Sequence, residues 1–228
     1  MYTNVNLAAP IGVLLFLGAG FLLFVGAVTF LFSIVKRKTA LTKFAVVALA
    51  LIGGGYLIMM LIFSAASKDR LLARGEEKHF CEIDCHLAYS ISDVRDLKTI
   101  GEAPNQATAS GIFRVVTIKT RFDEKTIGPN RGDGLLYPNS RVLTLTDESG
   151  NRYFPSAPAQ NVLEKSQQAG SQMTLPLRPG ETYSTVVVFD VPPDIKSPAL
   201  LINEGESLTH FVIGHENSPL HKKTRFQI

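Results

Sequence analysis

The chain has 228 residues, enough for one ordinary domain with an additional element and too few for several. Hydrophobic residues make up 46% and charged residues 19%, a composition that excludes a disordered chain. The formal charge of +3 is unevenly placed: residues 1–78 carry eight Lys/Arg against three Asp/Glu, residues 79–228 fifteen against seventeen. The larger part therefore lacks the basic face that nucleic-acid binding needs.

Residues 8–35 contain no charge and are dominated by Leu, Phe, Val, Ala and Gly. About 20 such residues cross a hydrocarbon core of ~30 Å as a helix. A second uncharged run covers residues 44–67, and only the eight residues 36–43 join the two. So short a link forces an antiparallel hairpin, and helix is the one state that satisfies both backbones in lipid. A cleavable signal peptide fits poorly, because no Lys or Arg precedes residue 36 and the apolar run is far too long. Lys36, Arg37, Lys38 and Lys43 occupy the link with no acid among them. The positive-inside rule then places the link in the cytoplasm and both termini outside. Lys68, Arg70, Arg74 and Lys78 pull the other way, but the N-terminal tail has no cation to hold the first helix's start inside. Gly18, Ala19 and Gly20, with Gly53, Gly54 and Gly55, are predicted to pack the two helices together. With no charged residue in either run, the hairpin reads as an anchor without an ion or proton pathway.

Residues 1–78 thus form a two-helix transmembrane anchor with a juxtamembrane extension, residues 68–78 continuing the second helix. Residues 79–228 form an extracytoplasmic β-domain. Its predicted strands are 80–94, 111–122, 141–146, 152–155, 182–191, 199–202 and 210–213, rich in Val, Ile, Thr, Phe and Tyr and separated by turn residues. Asp147 to Asn151 is a hairpin-turn signal. In 182–191, Tyr183, Thr185, Val187, Phe189 and Val191 share one face, while Val186 and Val188 require partial cover on the other. Pro192 and Pro193 stop that strand. A helix is expected at 159–169. Seven short strands with few helices predict an antiparallel β-sandwich.

The segment LPLRPGETYSTVVVFDVPPD (175–194) resembles the late strands of bacterial immunoglobulin-like domains of unknown function, found in secreted lipoproteins and membrane-anchored proteins. SGIFRVVTIKTRFDE (110–124) resembles an earlier strand of that family, with Arg121, Phe122 and Asp123 standing where an Asn is usual. TDESGNRYFPS (146–156) fits its hairpin. The resemblance covers roughly residues 79–213 and implies an extracytoplasmic immunoglobulin-like sandwich; it supplies no catalytic residues.

Cys81, Cys85 and His86 form the most pointed motif. Residues four apart in a regular strand are ~13 Å apart, and a disulfide needs Cα atoms within ~7 Å. The cysteines therefore pair, or share a metal, only if Glu82, Ile83 and Asp84 make a turn. Three readings stay open: a structural disulfide, separate buried thiols, or a copper or zinc site using His86 and a distant His210 or His215. Two helices followed by an outer β-domain resemble the layout of cytochrome oxidase subunit II, whose copper site is Cys-x3-Cys-x3-His; here His86 follows Cys85 directly and the cysteines open the domain. Arg131, Gly132 and Asp133 spell an integrin-type tripeptide but are ordinary turn residues. Residues 220–225 read as a solvated basic tail. No nucleophile elbow, phosphate loop or dinucleotide fingerprint occurs. The expectation is a non-enzymatic, cofactor-free protein, anchored in the lipid bilayer, presenting a binding or scaffolding domain to an unidentified protein partner. The alternative is a metal- or redox-handling domain built on Cys81, Cys85 and a histidine.

Overall fold

The computed structural model describes residues 3–4, 9–80, 86–126 and 131–228. They fall into two compact units: Met1–Val5 with Asp69–Glu206 and Lys223–Ile228, and Asn6–Lys68 with Ser207–Lys222.

The helical unit contains α1 (Ala9–Val35) and α2 (Thr39–Ala66). Among the described residues these are the two helices long and apolar enough to cross a membrane, with mean hydropathies of 2.6 and 2.5. Their outward faces are apolar, as at Leu17, Phe21, Phe24 and Leu51. The connection is tighter than the predicted eight residues. Thr39 to Lys43 continue as helix, leaving three linking residues, and Arg37 turns the chain at φ 52. The Ser33 and Thr42 hydroxyls, 2.8 Å apart, bridge the two helices at the bend. The predicted glycine clusters are not where the helices meet most closely. An added Cβ at Gly18, Gly20, Gly54 or Gly55 would meet nothing within 4 Å and one at Gly53 would make an ordinary 3.7 Å contact with Leu23 on α1, whereas one at Gly26 would lie 2.8 Å from Leu49 Cδ2. Gly26 lets the helices approach.

The β-rich unit holds β1 (Thr3–Asn4), β2 (Arg70–Leu72), β3 (Lys78–Phe80), β4 (Leu87–Glu102), β5 (Asn105–Phe122), β6 (Arg141–Thr146), β7 (Arg152–Tyr153), β8 (Thr182–Val191), β9 (Ala199–Glu204) and β10 (Thr224–Gln227), with α3 (Ala157–Lys165) between β7 and β8. Among the described residues they form two five-stranded sheets, β1-β3-β4-β5-β8 and β2-β10-β9-β6-β7. Pairing is antiparallel except for β1 on β3 and β2 on β10.

Period-2 alternation aims one face of each sheet at a shared core. Tyr89, Ile91, Val116, Ile118, Val187 and Phe189 from the first sheet meet Leu143, Leu145, Leu200, Ile202 and Phe226 from the second. Lys78 is fully buried there: its Nζ donates to the carbonyls of Ile202 (2.7 Å) and Thr224 (3.0 Å), so a β3 cation holds two strands of the other sheet. The cover expected over Val186 and Val188 is α3, whose Ala159 and Leu163 join Val188, Val115 and Phe113 in a second apolar cluster.

Four sequence expectations change. Residues 68–78 do not extend α2, which ends at Ala66 with Ser67 in an extended conformation; the chain re-enters the sheet as β2. The predicted strand 80–94 is interrupted between Phe80 and Leu87. Residues 210–213 are not a strand: a 3-10 turn covers Ser207–Phe211. Only part of the basic tail is solvated: Leu220 and Lys222 are exposed, but Thr224 and Arg225 enter β10, which inserts between β2 and β9.

Candidate functional site

Phe80 pairs with Leu87, so residues 81–86 connect two antiparallel strands. Cys81 and Cys85, predicted as a disulfide or as metal ligands, lie outside the described residues. His86, the third candidate, is buried with its ring stacked on Phe122 at 5.2 Å between centroids. Among the described residues, no group of three or more His, Cys, Asp or Glu is arranged to hold a metal ion.

Around the start of β3 and the end of β5 stands an ion network that sequence reasoning did not find. Arg121, late in β5, donates Nε to Glu77 Oε1 and Nη2 to Glu77 Oε2, both at 2.7 Å, and Nη1 to Asp123 Oδ1 at 3.0 Å. The Lys125 amide also donates to Asp123 Oδ1, and His79 Nε2 lies 3.4 Å from Glu77 Oε2. Hydrogen bonds from the guanidinium hold the Glu77 carboxyl below its usual range. Burial pushes Asp123 up, but the Arg121 and Lys125 bonds overcome it and leave that carboxyl low as well. Burial keeps His79 below its ordinary value despite both carboxylates. A guanidinium shared between two carboxylates is a structural knot, since its donors are spent on the protein's own acids.

Arg131 is held too: its Nη1 donates to the Gly134 carbonyl at 2.9 Å and its guanidinium lies 5.1 Å from the centroid of Phe122. Gly132 has φ +68, and Asp133 is almost fully exposed 3.9 Å from Arg178. The tripeptide is thus a turn whose arginine packs on the domain. His210 and His221 bond neighbouring carbonyls, and His215 Nδ1 accepts from the Asn217 amide.

A groove of about 740 Å3 runs across the outer face of the second sheet in the β-rich unit. Register explains it. Leu143, Leu145, Leu200, Ile202, Phe226 and Leu72 face the core, so the intervening Thr144, Thr146, Ala199, Leu201, Arg225 and Leu71 face outward. Leu71, Ala199 and Leu201 give an apolar floor; Arg152, Lys223, Arg225, Asp69, Asp147 and Glu148 also line it, with Arg225 paired to Asp69 at 3.3 Å. Asp147 accepts from the Asn151 side chain and amide, which keep its carboxyl low and fix the β6–β7 turn. Both charge signs around an open apolar strip suit a polypeptide surface better than an enclosed small molecule.

No protein-family model and no curated protein matches the chain. Three solved structures align with it. The secreted protein MPT63 of Mycobacterium tuberculosis is 12% identical, with 72% of this chain and 100% of that one covered at a TM-score of 0.44. The yjhA protein of Bacillus subtilis is 13% identical over 68% and 98%, at 0.41, and a conserved hypothetical protein of Bacillus anthracis 14% over 51% and 82%, at 0.40. These are β-rich bacterial proteins, and at such scores nothing further is drawn from them.

Proposed function

We propose that the chain is a non-enzymatic membrane protein whose helical hairpin holds an immunoglobulin-like β-sandwich outside the cytoplasm, where the groove on the second sheet binds a protein partner. The reading draws its main support from chain order. The hairpin lies between β1 and β2, two strands of one folded unit, so both its outer ends belong on the same side of the bilayer. The cations of the bend support placing that side outside. Two sheets sharing one core support the sandwich, and the mixed-charge groove supports the partner.

A photo-crosslinking residue in place of Leu201, in the groove, tests the binding surface in intact membranes. The expected result is a discrete protein adduct that Arg152→Glu abolishes and that the same residue in place of Tyr137, an exposed loop position, does not form. No adduct from Leu201, or the same adducts from both positions, contradicts the groove.

A further inference from the structure

The last loop of the chain returns to the helices. Residues Ser207–Lys222 leave the β-rich unit after β9 and belong to the unit of α1 and α2. The Tyr56 hydroxyl donates to the Phe211 carbonyl at 2.6 Å. Tyr56 stands twelve residues after Phe44 and eleven before Ser67, at the middle of the uncharged run. Ten residues separate it from the end of α2 at Ala66, or ~15 Å at 1.5 Å per residue. That is about half of a hydrocarbon core of ~30 Å. On the neighbouring helix, an added Cβ at Gly12 would strike the Ile213 carbonyl. The segment then comes back to the helix end, where the Lys222 amide donates to Ser67 Oγ at 2.8 Å.

We infer that Ser207–Lys222 is a re-entrant, lipid-embedded segment that lies along the hairpin and touches acyl chains through Leu208, Phe211 and Leu220. The inference rests on the reading that α1 and α2 span a bilayer. The side chains of its central part, 211–218, sort as a membrane requires. Val212 and Ile213 are buried, while Leu208, Phe211 and Leu220 are 63%, 56% and 77% exposed. His215, Glu216, Asn217 and Ser218 are buried, whereas Ser207, His210 and Lys222, nearer the ends of the segment, are exposed. Non-helical backbone is tolerated at membrane depth only where protein satisfies it, and this segment bonds extensively to itself. Amides of His215, Ser218 and His221 donate to the carbonyls of Val212, His215 and Ser218. Ser218 Oγ donates to the Val212 carbonyl, and Asn217 Nδ2 donates to Thr209 Oγ1 at 2.7 Å.

The chain contains no Trp, so one introduced indole reports its own depth. Full-length Phe211→Trp and Leu208→Trp are reconstituted in phosphatidylcholine vesicles with and without acyl-chain-brominated phosphatidylcholine. Phe21→Trp on α1 and Tyr137→Trp in the β-rich unit serve as references. The expected result is a blue-shifted emission at 211 and 208, lost to the brominated lipid to an extent comparable with position 21 and insensitive to aqueous iodide; position 137 behaves oppositely. Bromolipid quenching at 21 with iodide quenching at 211 and 208 overturns the inference and leaves the anchor reading standing. Absence of bromolipid quenching at 21 as well overturns both.

Discussion

Arg121 and Glu77, 44 residues apart in sequence, meet fork to fork through two parallel hydrogen bonds of 2.7 Å, tying the turn before β3 to the end of β5. The same guanidinium faces Asp123, whose side chain is fully buried. Removing one member of a desolvated pair costs far more than removing an exposed one, because a charge remains behind. Arg121→Ala is expected to destabilise the protein by about 2 kcal/mol or more. Arg114→Ala, which breaks an equally well-formed pair with a more exposed Asp96, is expected to cost less than ~1 kcal/mol. Thermal unfolding of both variants in detergent checks the ranking.

The same network makes stability depend on acid. His79 is held below its ordinary 6.5 by burial, and Glu77 below its ordinary 4.5 by Arg121. In both cases the unfolded chain binds more protons than the folded one over the shifted range, so stability rises with pH there. Folded His79 resists protonation, so its contribution is complete above 6.5 and is lost as pH falls towards its lowered value. The Glu77 contribution disappears only below the carboxylate range. The melting temperature is expected to fall between pH 7 and pH 5.5 in the parent protein and to stay nearly level over that window in His79→Gln. Equal slopes contradict the role given to His79.

A Cβ at Gly26 would lie 2.8 Å from the tip of the Leu49 side chain, which would have to shift, while Gly54 faces open space. Gly26→Val should separate the helices and lower the unfolding temperature of the hairpin, at a cost of about 1–3 kcal/mol typical of overpacking. Gly54→Ala should leave it unchanged. Unfolding in mild detergent, followed by the loss of helical circular dichroism, measures both.

Cys81 and Cys85 fall in sequence between the paired residues Phe80 and Leu87, and the proposed topology would put them in an oxidising exterior. Thiol titration of the denatured protein is expected to find no reactive thiol before reductant and both after it. Two free thiols of low pKa would instead favour the metal- or redox-handling alternative.

The sequence made some elements plain and concealed others for physical reasons. Arg141–Thr146 and Thr182–Val191 are bounded by turn residues, and in the second the alternating faces are explicit; both strands carry the predicted limits. The two helices are equally clear, because apolar length alone marks them. Arg70–Leu72 and Thr224–Gln227 are only three and four residues long; the first becomes a strand by pairing with the second across 154 residues, and the second also pairs with β9. The run Phe211, Val212 and Ile213 has strand composition, yet Val212 and Ile213 are buried within the helical unit, a long-range association that no local pattern records. The ion network left one trace: Arg121, Phe122 and Asp123 stand where an Asn is usual in the resembling pattern, and the Arg121 guanidinium is what joins Asp123 to Glu77.

The central claim is that the hairpin holds the β-rich unit outside the cytoplasm. A phosphatase reporter that folds only in an oxidising exterior, fused after Ile228, tests it most directly, with a matched fusion to a reporter that fluoresces only in the cytoplasm. The account predicts an active phosphatase and a dark fluorescent fusion. An inactive phosphatase beside a bright fluorescent fusion would contradict it.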